Sequence, residues 1–398
     1  TAPIGLTSTA APAGGTGSYT YQWQSSSDNS TWSAIGGATS STYSPGALTS
    51  NTYYRRAVTS GSCGPLYSSS VLISVNTITV APGGITNGLS VWLKADAGTS
   101  SLGTSWQDQS CYANHYTTVS GPTVIASDLN FNPAIEILSG GFDGPAGAAL
   151  GADWTVFFVS RLLSSDNNGT LIEGSSGNYR LGYLGGYRNA IHWNGNPSEI
   201  NSGIAASSEI TTTKMFTYSR ESAGSTIVSR VNGNTLKTFN ATNSGAGVIL
   251  DINRGAFYST DESDSRIGDF IIYNRALSAT EILKVEAYLA TKYGLQLNSA
   301  NGGTDGDFVS SGGTTYWDAS ANTGYSNEVV VIGKDNSSGL TQKQAKSSDD
   351  SLRVFVSTLA ANNSTNAGTI TNDQSFIALG HNGAKLKANF ASNSEKPA

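Results

Sequence analysis

Cysteine, methionine and charge are all scarce in this chain. Of 398 residues only Cys63 and Cys111 are cysteines, Met215 is the single methionine, and charged side chains make up 13%. Two cysteines cannot build a disulfide framework, and His115, His192 and His381 show no ligand spacing relative to them, which excludes a thiolate zinc site. The 22 Lys and Arg are scattered under a net charge of −6, leaving no electrostatic footprint for nucleic acid or an anionic membrane. No apolar run approaches the length of a membrane-spanning helix, and no export signal opens the chain. Also missing are a Gly-x-Ser-x-Gly elbow, a His-Glu-x-x-His helix and a phosphate loop ending in Gly-Lys-Ser. A glycosidase needs two carboxylates set across a sugar. Glu136 and Glu173 stand alone in apolar or Gly-rich stretches, so the expectation is a protein that is not an enzyme.

What is present is 46 glycines and long runs of Ser, Thr and Asn joining short segments of Val, Ile, Tyr and Trp. That is the composition of a many-stranded β protein with polar loops. The length exceeds what one core serves, so several domains are expected. Thr1 is not a start residue and the last residues close no strand pattern, so the chain reads as a window of a longer polypeptide. Residues 1–78 alternate aromatic with polar side chains at Tyr19–Trp23 and repeat short strands, which fits an immunoglobulin-like sandwich. Residues 79–87, with Pro82-Gly-Gly84, read as a linker. Residues 88–297 carry strand after strand and one helix: Ser278 and Glu281 form a capping box, Ile282, Val285, Leu289 and Tyr293 recur at helical spacing, and Gly294 closes it. Residues 298–398 read as a further, incomplete β domain.

Five segments in order, Gly88-Leu-Ser-Val-Trp-Leu-Lys-Ala-Asp-Ala-Gly98, Ser105-Trp-Gln-Asp-Gln-Ser110, Phe142-Asp-Gly144, Ile267–Glu281 and Tyr288-Leu-Ala-Thr-Lys-Tyr-Gly294, resemble laminin-G-like members of the concanavalin A-like lectin fold. Tyr21–Asn29, Tyr43–Arg56 and Gly61-Ser-Cys63 are similar to the immunoglobulin-like repeats of large surface adhesins of gliding bacteria exported by the type IX system. The resemblance implies an extracellular, cell-surface segment with a jelly-roll sandwich. Its partners would be glycans or surface polysaccharide, other domains of the same polypeptide, or other surface and secretion proteins. A spacer in an extracellular filament is the alternative.

The resemblance also points to calcium at a sheet rim, with Asp143 and Asp269 at the family's motif positions; Asp251 and Asn253 are added as nearby oxygen donors. In the structural alternative, Asp143 holds a turn and Asp269 caps a strand. Tyr183, Tyr187, His192 and Trp193, in Gly-rich loops, are candidates for stacking on a sugar face or for core packing. Cys63 and Cys111 are either bridged or two unrelated thiols, and Cys111 stands where these domains usually show Gly, in a turn that a side chain would strain.

Overall fold

A computed structural model describes the chain except for residues 1–2, 76, 164–169, 175–178, 185–186, 194–210, 222, 224, 242, 255–262, 298–305, 349–351 and 383–398. It resolves into two compact units, Thr1–Thr77 and Ile78–Ala398. Both are built on antiparallel sheet, and the class is all-β.

In the first unit, the strands Ser33–Ala34, Thr20–Ser26, Thr52–Ser60 and Cys63–Tyr67 lie side by side in that order, with Val71–Ile73 also on Thr52–Ser60. The alternation at Tyr19–Trp23 does what its period requires: Trp23 is turned inward and buried. The extended segments around Leu6 and Tyr43 face the sheet, joined by paired backbone bonds of 2.7 and 3.0 Å. The Tyr43 ring packs between Trp23 (5.9 Å) and Tyr54 (5.8 Å).

In the second unit, an eight-stranded sheet runs from Asn234–Asn240 through Thr226–Val231, Lys214–Glu221, Trp154–Leu162, Ser265–Tyr273 and Asn132–Ile137 to Thr123–Leu129, with Leu89–Leu93 also on Ser265–Tyr273. A seven-stranded sheet runs from Tyr187–His192 through Arg180–Leu184, Ile172–Gly174, Leu250–Ile252, Gly141–Asp143 and Tyr116–Ser120 to Ser105–Trp106. Val156, Phe158, Phe216 and Ile272 of the first interdigitate with Phe142, Ile172, Leu181 and Ile252 of the second to form the sandwich core.

The other face of the eight-stranded sheet is buried too. Trp92, Phe157, Val159, Ile271 and Tyr273 lie in one cluster with Val285, Tyr288 and Leu289 of the helix Ala279–Tyr293. That helix carries the capping box at Ser278 and Glu281 and ends on Gly294 at φ 63°. Its burial is nearly continuous from Val285 to Tyr293, broader than the single stripe its spacing suggests. The reason is on its far side: Phe308, Trp317, Val329, Val331 and Leu340 join the same cluster. Residues expected to form a separate C-terminal domain therefore share a core with the sandwich through the helix. The stretch expected to be a linker is likewise packed, with Ala81, Pro82 and Gly83 buried in a short 3₁₀ turn. A local reading of Pro-Gly-Gly sees only a chain break, whereas the turn sits close against the backbone at Lys284.

Candidate functional site

The residues of the resemblance motifs converge, but on a buried knot rather than a cleft. Asp269 is fully buried and accepts four bonds: from the Tyr293 hydroxyl (2.6 Å), Lys292 Nζ (3.0 Å), the Tyr288 hydroxyl (2.8 Å) and Trp92 Nε1 (3.2 Å). Lys292 also donates to Asp96 at 2.8 Å, and Lys94 lies over the Trp92 ring at 4.7 Å. Burial opposes the Lys292 ammonium, but Asp269 and Asp96 outweigh it and hold the group above the usual lysine range. Lys94 is pushed the other way, by burial and then by the Lys292 charge. Gly268 belongs to the same device: a Cβ there would meet the Tyr293 ring at 2.6 Å, so the glycine lets the ring seat over the strand. Asp108 plays a similar part in its own loop, accepting from the backbone N–H of Trp92 (2.8 Å), Ser110 (2.9 Å) and Asn114 (2.9 Å).

The four oxygen donors expected at a calcium site are thus divided. Asp269 is saturated. Asn253 is buried at φ 53°, its Oδ1 accepting from the Ser263 N–H (2.6 Å) and its Nδ2 donating to the Gly140 carbonyl (3.1 Å). Asp143 and Asp251 do come together, but Asp143 is ion-paired with Arg254, and Asp251 accepts from the Gly144 N–H at 2.7 Å. Calcium wants six to eight open oxygens; here an arginine stands among them. These residues do not fit the ion, and among the described residues no group of three or more His, Cys, Asp or Glu is arranged to hold a metal.

The aromatic candidates divide as well. Tyr183 is buried, its ring edge-on to Phe216 at 5.2 Å and its hydroxyl donating to the Ser160 carbonyl at 3.3 Å. Trp193 is buried between Trp154 (4.9 Å) and Tyr179 (4.7 Å) and donates to the Asn243 carbonyl at 2.9 Å. Both are core side chains, out of reach of a sugar ring: the strand Arg180–Leu184 turns Tyr183 into the sandwich, and Trp193, just past the strand Tyr187–His192, is closed in by Trp154 and Tyr179. The side chains of Tyr187 and His192 lie outside the described residues. Cys63 and Cys111 are both free, the first exposed, and Cys111 keeps an ordinary negative φ, so no turn is strained there.

What the sequence does not display is a cross-strand row on the outer face of the seven-stranded sheet. Phe142, Ile252, Ile172 and Leu181 point into the core, so their neighbours point outward. Register sets Ser105 beside Thr117, Thr117 beside Asp143, Glu173 beside Asp251, and Glu173 beside Arg180, which in turn pairs with His192. The pairing of Phe142 with Ile252 sets Asp143 against Asp251 and closes the row. Six of its members are therefore Ser105, Thr117, Asp143, Asp251, Glu173 and Arg180, drawn from stretches far apart in the chain. The row is open at Thr117 and Asp143, whose side chain is 49% exposed, and closes toward Asp251 and Glu173, which are 5% and 2% exposed. Burial lifts the Asp251 carboxyl to about 6, the Asp143 and Glu173 charges adding to the rise while the Gly144 N–H and Arg254 oppose it. Such a group can donate or accept a hydrogen bond near neutral pH.

Two family models match parts of the chain, both described as domains of unknown function: DUF8696 over residues 1–77 and DUF8202 over residues 281–398. No curated protein matches. Among solved structures, the chain is similar to the binding domain of Paraclostridial Mosquitocidal Protein 1 (13% identity, TM-score 0.38, 51% of this chain and 52% of that one). It is also similar to Domain 4 of AbnA, a GH43 extracellular arabinanase from Geobacillus stearothermophilus, in complex with arabinotriose (12%, 0.40, 51% and 100%). A third is Trypanosoma rangeli sialidase in complex with sialic acid (14%, 0.41, 61% and 43%). The chain thus spans about half the length of the toxin domain it matches.

Proposed function

We propose that the second unit binds a saccharide along the outer face of its seven-stranded sheet, as a non-enzymatic part of an extracellular surface adhesin. The observation that carries this reading is the unbroken row of hydrogen-bonding side chains across the sheet. Ser105, Thr117 and Asp143 offer acceptors and donors on neighbouring strands about 5 Å apart, which suits the hydroxyls of a sugar chain laid across them, and Arg180 stands three strands beyond Asp143 on the same face. Hydrolysis is disfavoured although three acids adjoin: Asp143 is tied to Arg254, and Asp251 and Glu173 are closed in. No two of these three flank an open gap as acid and base must.

The test is a glycan array on the whole chain, followed by calorimetry with the best ligand and a reducing-end assay. Saccharide binding without turnover, weakened about tenfold or more by Asp143→Ala or Arg180→Ala, is the expected result. Silence across the array, with the chain self-associating, would leave a spacer; release of reducing ends abolished by Glu173→Gln would make it a hydrolase.

A further inference from the structure

Among the described residues, the first unit holds a buried cation with no partner of opposite charge. On the inward face of Thr52–Ser60, between Tyr54 and Val58, the chain places Arg56, which is 5% exposed. Its guanidinium lies over the rings of Tyr21 (4.8 Å) and Trp23 (5.9 Å), Nη1 donates to the Ser41 carbonyl at 2.6 Å, and buried Nε donates to nothing. Ring faces and one carbonyl compensate only part of the cost of burying that charge. The unit cannot supply the missing anion. Asp28 is the only acid in residues 1–77, and its carboxylate accepts from Ser26, Ser30 and Thr31 in its own turn. Arg55, on the opposite face between the rings of Trp32 (4.2 Å) and Tyr67 (4.0 Å), adds a second positive charge.

A cleft of about 480 Å³ opens onto Arg56, walled by Pro12, Gly15, Tyr19, Ser60, Gly64 and Leu66. That volume suits a small ligand of one or two rings. We infer that this cleft is a binding site for a carboxylate-bearing saccharide, the carboxylate completing the Arg56 guanidinium. The Tyr19 ring and the exposed Leu66 offer apolar surface to the face of a sugar ring. An acidic peptide added as a strand is the less suited occupant, because the edge strand Cys63–Tyr67 carries Pro65 and so lacks a ladder donor.

The experiment is calorimetry of the whole chain at low salt with di-galacturonate and, as the neutral counterpart, di-galactose. The acid should bind, more weakly as salt rises, with the neutral sugar about tenfold weaker or more. Arg56→Gln should abolish the preference in protein whose circular dichroism is unchanged. Because that variant can fail to fold, Gly64→Glu provides a second route: a Cβ at Gly64 meets open space, so the new carboxylate stands at the mouth of the cleft and should weaken galacturonate about tenfold. Equal affinity for both sugars, binding of neither, tighter binding of a glutamate-rich peptide, or galacturonate binding untouched by Gly64→Glu would each overturn the inference. In an Asp143→Ala background, which removes the sheet site, Gly64→Glu should still weaken galacturonate about tenfold, so the two sites fail separately.

Discussion

Asp269 and Asp251 lie in the same unit, and their surroundings are opposites. Asp269 sits among four side-chain donors with Lys292 against it; Asp251 has one backbone N–H, two acidic neighbours and a carboxyl lifted to about 6. The first belongs to segments that resemble a known family, the second to none of them. The resemblance thus tracks the device that fastens the helix to the sheet, and the polar row on the outer face of the seven-stranded sheet is assembled largely from residues outside it.

The sharpest way to break that comparison is to remove the cation from the knot. Lys292→Met leaves the buried Asp269 without its counter-charge and should cost about 3–5 kcal/mol in urea unfolding. Pairing it with Asp269→Leu should recover part of the loss. A cost under about 1 kcal/mol would make the knot an incidental contact.

Asp251 should behave in the opposite sense. Folding lifts its carboxyl from about 4 in an unfolded chain to about 6, so between these values the native state holds a proton the unfolded chain has released. The stability this proton brings is full below about pH 4 and is lost as pH rises through about 6. Asp251→Asn should flatten that part of the profile and raise the melting temperature at pH 8 by about 2–4 °C. A fall in melting temperature at pH 8 would place Asp251 among the structural carboxylates. The smallest effect belongs to the far end of the helix, where Ser278→Ala, removing the cap, should cost about 1 kcal/mol.

Much of the fold was legible because it is written locally. Alternation marks Tyr21 and Trp23, and the cap, stripe and Gly294 mark the helix within a single stretch of chain. The saturated state of Asp269 was not legible, since its donors come from Trp92 and from a helix whose docking only the folded chain reveals. The acidic row was hidden for a related reason: Glu173 stands alone in sequence, and only register sets it beside Asp251, 78 positions away. Tyr183 and Trp193 were ambiguous because an aromatic in a Gly-rich stretch reads the same whether its strand turns it inward or outward.

The helix Ala279–Tyr293 is covered on both sides, by the sheet and by the cluster around Phe308, Trp317 and Val331. A protease cut near residue 297 that released the C-terminal strands would leave that second side facing water, and the sandwich left behind should be sticky and easily melted. Melting of the intact second unit should accordingly be a single cooperative event, and a pull on its C-terminal strands would be resisted at the sandwich itself.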